Sequence, residues 1–271
     1  MKKIKSANLY WLLSALCLLV IPSACLEKED GCRDVFATNF AADAEIDCDD
    51  DCCTFPSITF EIEHAAGDTS LRYGDTIIFE DKVIIILETS FYINGISLTS
   101  SDDEITIADK ITLTDRSGNT NLTTDDVEVI SRDISSFSYE IGTFQGQGSY
   151  SELNFQVGLD NIQSATNPSS VPETHPLSPD NGLFDLPDST YIFTRLRLVN
   201  VANDDTLQYL STTPINISLP YEVIIDRGFD LTIPIKVDYL KWIEGINFAD
   251  DPEVTTQIIV SNLSNAFSIR E

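Results

Sequence analysis

With 271 residues, 42% of them hydrophobic, the chain can bury one substantial core or two small ones. Its formal net charge of -28 repels nucleic acid and anionic membrane surfaces, which excludes both as partners. Such a surface accepts cations or cationic partners and, more simply, keeps an exported protein soluble.

From the N-terminus, MKKIK is a basic region, and LYWLLSALCLLVI is an apolar run shorter than the ~20 residues of a membrane span. PSAC then places small residues just before Cys25, the pattern of a bacterial lipoprotein signal, although Pro22 stands where a leucine-like residue is usual. Residues 1–24 therefore read as a signal peptide and 25–31 as a tether whose lipidated Cys25 is the only membrane attachment. Ordinary secretion with cleavage nearby is the alternative. LEKED after Cys25 resembles the short signal that sends some lipoproteins to the outer face of the outer membrane, so a surface- or periplasm-facing location there is expected.

Cys32, Cys48, Cys52 and Cys53 form an even set in an oxidising compartment, which predicts two disulfides with three possible connectivities. A zinc site made from all four is the alternative, and adjacent Cys52 and Cys53 suit one tetrahedral ion poorly. Residues 32–56 form an acidic module too short to fold without such bridges, and 31–56 resemble a small cysteine module of exported bacterial lipoproteins. Within it Asp47, Asp49 and Asp51 have the alternating spacing of a calcium loop but lack its glycine and closing glutamate; a solvated acidic turn is the other reading.

From Ser57 the pattern has period two. SITFEIEH sets Ile58, Phe60 and Ile62 against Thr59, Glu61 and Glu63. VIIIL (83–87) reads as a doubly buried strand, and ELNFQVGL places Leu153, Phe155, Val157 and Leu159 on one face. YIFTRLRLV, PINISL and DLTIPIKV alternate likewise, with Pro234 predicting a sheet-edge strand. The expected fold over 57–271 is all-β, an antiparallel sandwich with a short C-terminal helix and a disulfide-rich N-terminal segment. Asp251 caps that helix, Pro252 suits its first turn, and Val254, Ile258, Leu263 and Phe267 form its predicted stripe. YLKWIEG (239–245) supplies another helical turn.

The chain has two histidines. His64 continues the inward series of the first strand, where a hydrogen-bonded structural role competes with metal ligation. His175 lies in VPETHPLSPDNG, a proline-framed loop; either it is solvated or the loop holds it near His64 to make a paired-histidine metal site.

TFEIEH, SFYINGISL, FQVGLDN, NPSSVPETHPLSPDNGLF, YIFTRLRL and NLSNAF, in this order over about residues 57–269, resemble the MbnP-like proteins, exported copper-binding proteins associated with methanobactin clusters. The resemblance implies a β-sandwich lipoprotein or periplasmic protein that binds copper, His64 and His175 at positions where members commonly carry histidine, and a di-haem MauG-type peroxidase as partner. Members read Gly-Met-aromatic-Trp-x-Trp after the histidine loop, whereas this chain reads GLFDLP, with Asp185 and Pro187 in the tryptophan places. The family's oxidised-tryptophan chemistry is therefore expected to be lost, Trp242 lying at an unrelated position.

Met1 is the only methionine and the cysteines are bridged or lipidated, so a soft thioether or thiolate site is excluded. Two imidazoles with a carboxylate, Asp185 or a neighbour, suit Cu(II) or Zn(II), and two histidines alone can hold Cu(I) linearly. No nucleophile elbow, phosphate loop or HExxH motif occurs, so no enzyme activity is expected. The expected function is capture of copper, or its presentation to a TonB-dependent outer-membrane transporter. The rival is a surface carbohydrate-binding or adhesion sandwich with structural histidines.

Overall fold

The computed structural model describes residues 29–48, 52–72, 74–131, 137–181 and 183–270. The signal segment, Cys25, Asp49 and Asp51 lie outside them. No helix among the described residues is long and apolar enough to cross a membrane.

Among the described residues the main strands of a sandwich are β1 (Ser57–Ala66), β2 (Lys82–Thr99), β3 (Glu128–Ser131), β4 (Ser138–Thr143), β5 (Gly148–Val157), β6 (Thr194–Asn200), β7 (Asp205–Ser211), β8 (Ile215–Ile225), β9 (Leu231–Asp238) and β10 (Phe267–Ile269). The larger sheet runs β7-β6-β2-β5-β8, with β3, Thr76–Phe79 and Glu104–Thr106 also paired to β2; the smaller runs β4-β1-β9-β10. Alternation places Ile58, Phe60 and Ile62 of β1 and Ile233, Ile235 and Val237 of β9 in the core, facing Leu153, Phe155 and Val157 of β5. Edge-on ring contacts tie the sheets together: Phe60 to Phe155 at 5.8 Å between centroids and Phe155 to Phe267 at 5.5 Å.

Several local expectations change. β1 and β9 pair in parallel, so the sandwich is not wholly antiparallel. β9 is not an edge strand either, since it lies between β1 and β10. Pro234 is tolerated because its carbonyl accepts Arg270 N on the β10 side, so its missing N–H costs no bond to β1. Within VIIIL, Ile84 and Ile86 are core while Val83 is 41% exposed, so only one face of that run is fully covered.

Among the described residues three α-helices accompany the sheets: α1 (Asn161–Ala165), α2 (Tyr239–Trp242) and α3 (Pro252–Ala266). Asp251 caps α3 by accepting Glu253 N at 2.8 Å. Its buried stripe is Thr255, Ile259, Leu263 and Ala266, which shares only Leu263 with the expected one. Val254 is 47% exposed, Ile258 is half-buried, and Phe267 has already entered β10.

A second apolar cluster lies outside the main core: Tyr92, Leu113, Val127, Leu159, Leu177, Leu183, Tyr191 and Phe193. It seats the loops that carry His175. In the N-terminal segment, disulfides join Cys32 to Cys53 and Cys48 to Cys52, closing a stretch too small to bury its own core.

Candidate metal-binding clefts

The loop around His175 is held from both sides. Its backbone makes two successive turn bonds, His175 N to Pro172 O at 2.9 Å and Ser178 N to His175 O at 2.8 Å. Two tyrosines of the second cluster grip it from beneath, Tyr92 Oη donating to Pro176 O at 3.3 Å and Tyr191 Oη to Leu177 O at 2.9 Å. Burial, with the neighbouring Tyr191 phenol also contributing for Tyr92, raises both phenols well above the ordinary range. They remain donors.

The imidazole is consequently oriented. Nδ1 accepts Leu177 N at 3.1 Å, and Nε2 lies 3.2 Å from Asp125 Oδ1. A neutral ring that accepts at Nδ1 carries its proton on Nε2 and donates it to Asp125. His175 and Asp125 face a cleft of about 420 Å³ shared with Asp109, Glu128 and Glu140. Burial raises the Glu128 carboxyl above its ordinary value, against the pull of Val129 N–H and the nearby His175. Asp109 is committed structurally: its two oxygens accept Thr143 N at 2.5 Å and Thr143 Oγ1 at 2.8 Å.

His64 occupies a different place. It is 2% exposed, with Nδ1 2.8 Å from Tyr239 Oη and its ring stacked on Tyr239 at 5.8 Å and 17°. It borders a cleft with Glu63, Arg72, Phe137 and Arg270, and among the described residues none lines both this cleft and that of His175. The register measures the separation. Glu140, on the His175 cleft, pairs with Thr59, and His64 lies five residues further along β1, about 16 Å at ~3.3 Å per residue. The structure therefore does not bring the two histidines together.

The remaining expected ligands are also dispersed. Asp185 sits in the short hairpin Phe184–Asp185 with Thr190–Tyr191, paired to Thr190, and does not line the His175 cleft. Asp47 accepts Arg33 N at 3.1 Å, and its calcium-loop companions Asp49 and Asp51 lie outside the described residues. Cys48, Cys52 and Cys53 come close together only as members of the disulfides. Trp242 is fully buried and stacked on Tyr239 at 5.8 Å and 15°. The residues that surround His175, namely Asp125 and Glu128, carry no sequence signal in a chain with 44 acidic residues.

One imidazole with oxygen donors is a borderline-hard ligand set, suited to Cu(II) or Zn(II) and poorly suited to Cu(I). Fold and cleft together define a loop-decorated, two-sheet β-sandwich protein with a disulfide-linked N-terminal segment. The chain belongs to the MbnP family, whose sequence profile matches residues 56–258. It is similar to the solved MbnP from Methylosinus trichosporium at 13% identity and a TM-score of 0.41, over 69% of this chain and 76% of that one. Among curated proteins none matches the sequence.

Proposed function

We propose that this MbnP-family protein is an exported, Cys25-anchored lipoprotein of the outer membrane. It takes up a divalent transition metal, copper(II) foremost, as cargo in the cleft below His175 and hands it to an outer-membrane uptake system. The observation that carries this reading is the 3.2 Å approach of His175 Nε2 to Asp125 Oδ1 beside the half-buried Glu128. A cation entering between imidazole and carboxylate takes the position of the Nε2 proton and offsets the cost of an ionised, desolvated Glu128. The ring then needs its proton on Nδ1, which is incompatible with accepting Leu177 N–H. Loading therefore opens that one bond, while Tyr92 and Tyr191 keep hold of the loop.

Copper capture without turnover is consistent with the absence of the family's paired tryptophans and with the burial of Trp242. A di-haem peroxidase partner therefore has no substrate tryptophan in this reading.

The test is Cu(II) titration of tag-free mature protein by calorimetry and electron paramagnetic resonance. The expected result is near one equivalent with a single imidazole nitrogen. His175→Ala and Asp125→Asn should each weaken binding about tenfold or more, and His64→Ala should leave it within about twofold. Equal losses in His64→Ala and His175→Ala would overturn the single-histidine site in favour of a shared one.

A further inference from the structure

The outer face of the larger sheet carries an ordered polar array that the metal reading does not use. Gln156 of β5 stands opposite Asn94 of β2 on one side and Asn216 of β8 on the other. One pleat along, Asn154 stands opposite Ser97 and Ser218, and then Glu152 opposite Thr99 and Pro220. With strands ~4.8 Å apart and same-face residues ~6.8 Å apart along each strand, these residues form a lattice.

The side chains of the array are already bonded to one another. Asn94 Nδ2 donates to Gly158 O at 2.6 Å and to Gln156 Oε1 at 3.4 Å, and Gln156 Nε2 donates to Asn216 Oδ1 at 2.9 Å. Asn154 Nδ2 donates to Thr99 Oγ1 at 3.1 Å, and the hydroxyls of Thr99 and Ser218 both donate to Glu152. Such ordering lowers the entropy lost when a ligand binds. The array floors a cleft of about 520 Å³, within the ~300–1,000 Å³ of small-ligand sites. Asp160, the cap of α1, forms one wall, and Gly95 (φ +64°) leaves open space where a side chain would project.

The chemistry of the lining selects the ligand. Carboxamides and hydroxyls both donate and accept, as the vicinal hydroxyls of a sugar require. No lysine, arginine or histidine lines the cleft, and the chain's net charge is -28, so anionic ligands are repelled. Asp160, the one lining carboxylate, is partly used in accepting Gln163 N at 2.7 Å, which makes a poor cation site. The strand spacing is close to the length of one pyranose ring, so a chain laid across β5 and β8 meets the accessible carboxamides of Gln156 and Asn216, which Asn94, 4% exposed, orients from below. The geometry points to a neutral-saccharide-binding platform centred on Asn94, Gln156 and Asn216. Phe155 borders the cleft but turns into the core at 3% exposed, so there is no stacking ring and binding is weak, with Kd on the order of millimolar.

The experiment titrates isotope-labelled mature protein with cellohexaose, maltohexaose, xylohexaose and mannohexaose, with trigalacturonate as the anionic comparison, while following side-chain amide resonances. At least one neutral hexasaccharide should shift the Asn94, Gln156 and Asn216 amides, and trigalacturonate should not. Gln156→Leu should weaken that binding about tenfold or more, as should Asn216→Leu, an exposed position that folding tolerates. Copper(II) binding should be unchanged in both variants, because neither residue lines the His175 cleft. The platform is overturned if none of the four sugars shifts these amides at 10 mM, a concentration of about ten times the expected Kd, or if the shifts map elsewhere and survive both substitutions.

Discussion

His64 Nδ1 and Tyr239 Oη meet at 2.8 Å inside the sandwich, with the two rings stacked and Trp242 stacked beyond them. The pair joins the end of β1 to the first turn of α2, residues 175 positions apart. His64 thus acts as a clamp between the smaller sheet and the C-terminal helices. His64→Ala removes the ring contacts and the hydrogen bond to Tyr239 Oη, and should cost about 2–4 kcal/mol. Tyr239→Phe keeps the packing and should cost about 1–3 kcal/mol. Urea unfolding of both variants measures this; costs below ~0.5 kcal/mol would deny the clamp.

Gly142 has φ +154°, and a Cβ there would meet Ile107 Cγ2 at 2.7 Å and Asp109 Oδ2 at 2.9 Å. Gly142→Ala must displace the carboxylate that holds Thr143. It should destabilise by about 1–3 kcal/mol and disturb the adjoining His175 cleft. Thermal unfolding and copper titration of this variant check both effects.

Asp126 is buried and accepts Ile96 N at 3.1 Å. Burial raises its carboxyl above the ordinary 3.8, against the Ile96 and Gly95 N–H groups, with Asp160 adding to the rise. In the window from 3.8 up to that raised value the folded state binds more protons than the unfolded one, so stability falls as pH rises and the loss is complete above it. Asp126→Asn keeps an acceptor for Ile96 N and should flatten this part of the stability–pH curve. Unfolding free energies measured in steps from pH 3 to 7 would show it; an unchanged slope would refute the assignment.

Cys32–Cys53 closes most of the N-terminal segment, and chain-entropy arguments give such a loop about 3 kcal/mol. Reduction should open residues 29–56 to protease while the sandwich stays folded, because the core strands begin at Ser57. Limited proteolysis with and without reductant, followed by mass mapping, distinguishes local from global unfolding.

Much of the fold was legible because one face of each strand is buried, and burial writes itself as alternation: β1 follows it through His64, β5 from Glu152 to Val157 and β9 through Val237. Asp251 and Pro252 marked the start of α3 by capping chemistry, which is local. Its stripe was misplaced because Ile258 and Ile259 are adjacent, and only the packing partner decides which points inward. The His175 cleft was half legible. The prolines announced an ordered loop, but the identity of its acidic neighbour depends on which strand lies beneath it, a long-range fact. The polar array was hidden for a different reason. Its rows exist only across strands, so no window along the chain contains one.

The register shift at Gly95 has a further meaning. At Phe91 and Ile93 the odd-numbered residues of β2 face the core, and from Ile96 the even-numbered ones do, so this part of the strand carries one residue too many. Excising Gly95 would restore unbroken alternation through Phe91, Ile93, Ile96 and Leu98 without turning any side chain over. In genetic terms the second half of β2 is an ordinary strand with an extra codon. The carboxylate of Asp126, which receives the Ile96 amide freed by the insertion, makes the addition hard to reverse. A chain that lost the codon would keep a buried acid without the Gly95 and Ile96 amides that now face it. Reversion therefore requires two coordinated changes, the loss of Gly95 and the replacement of Asp126.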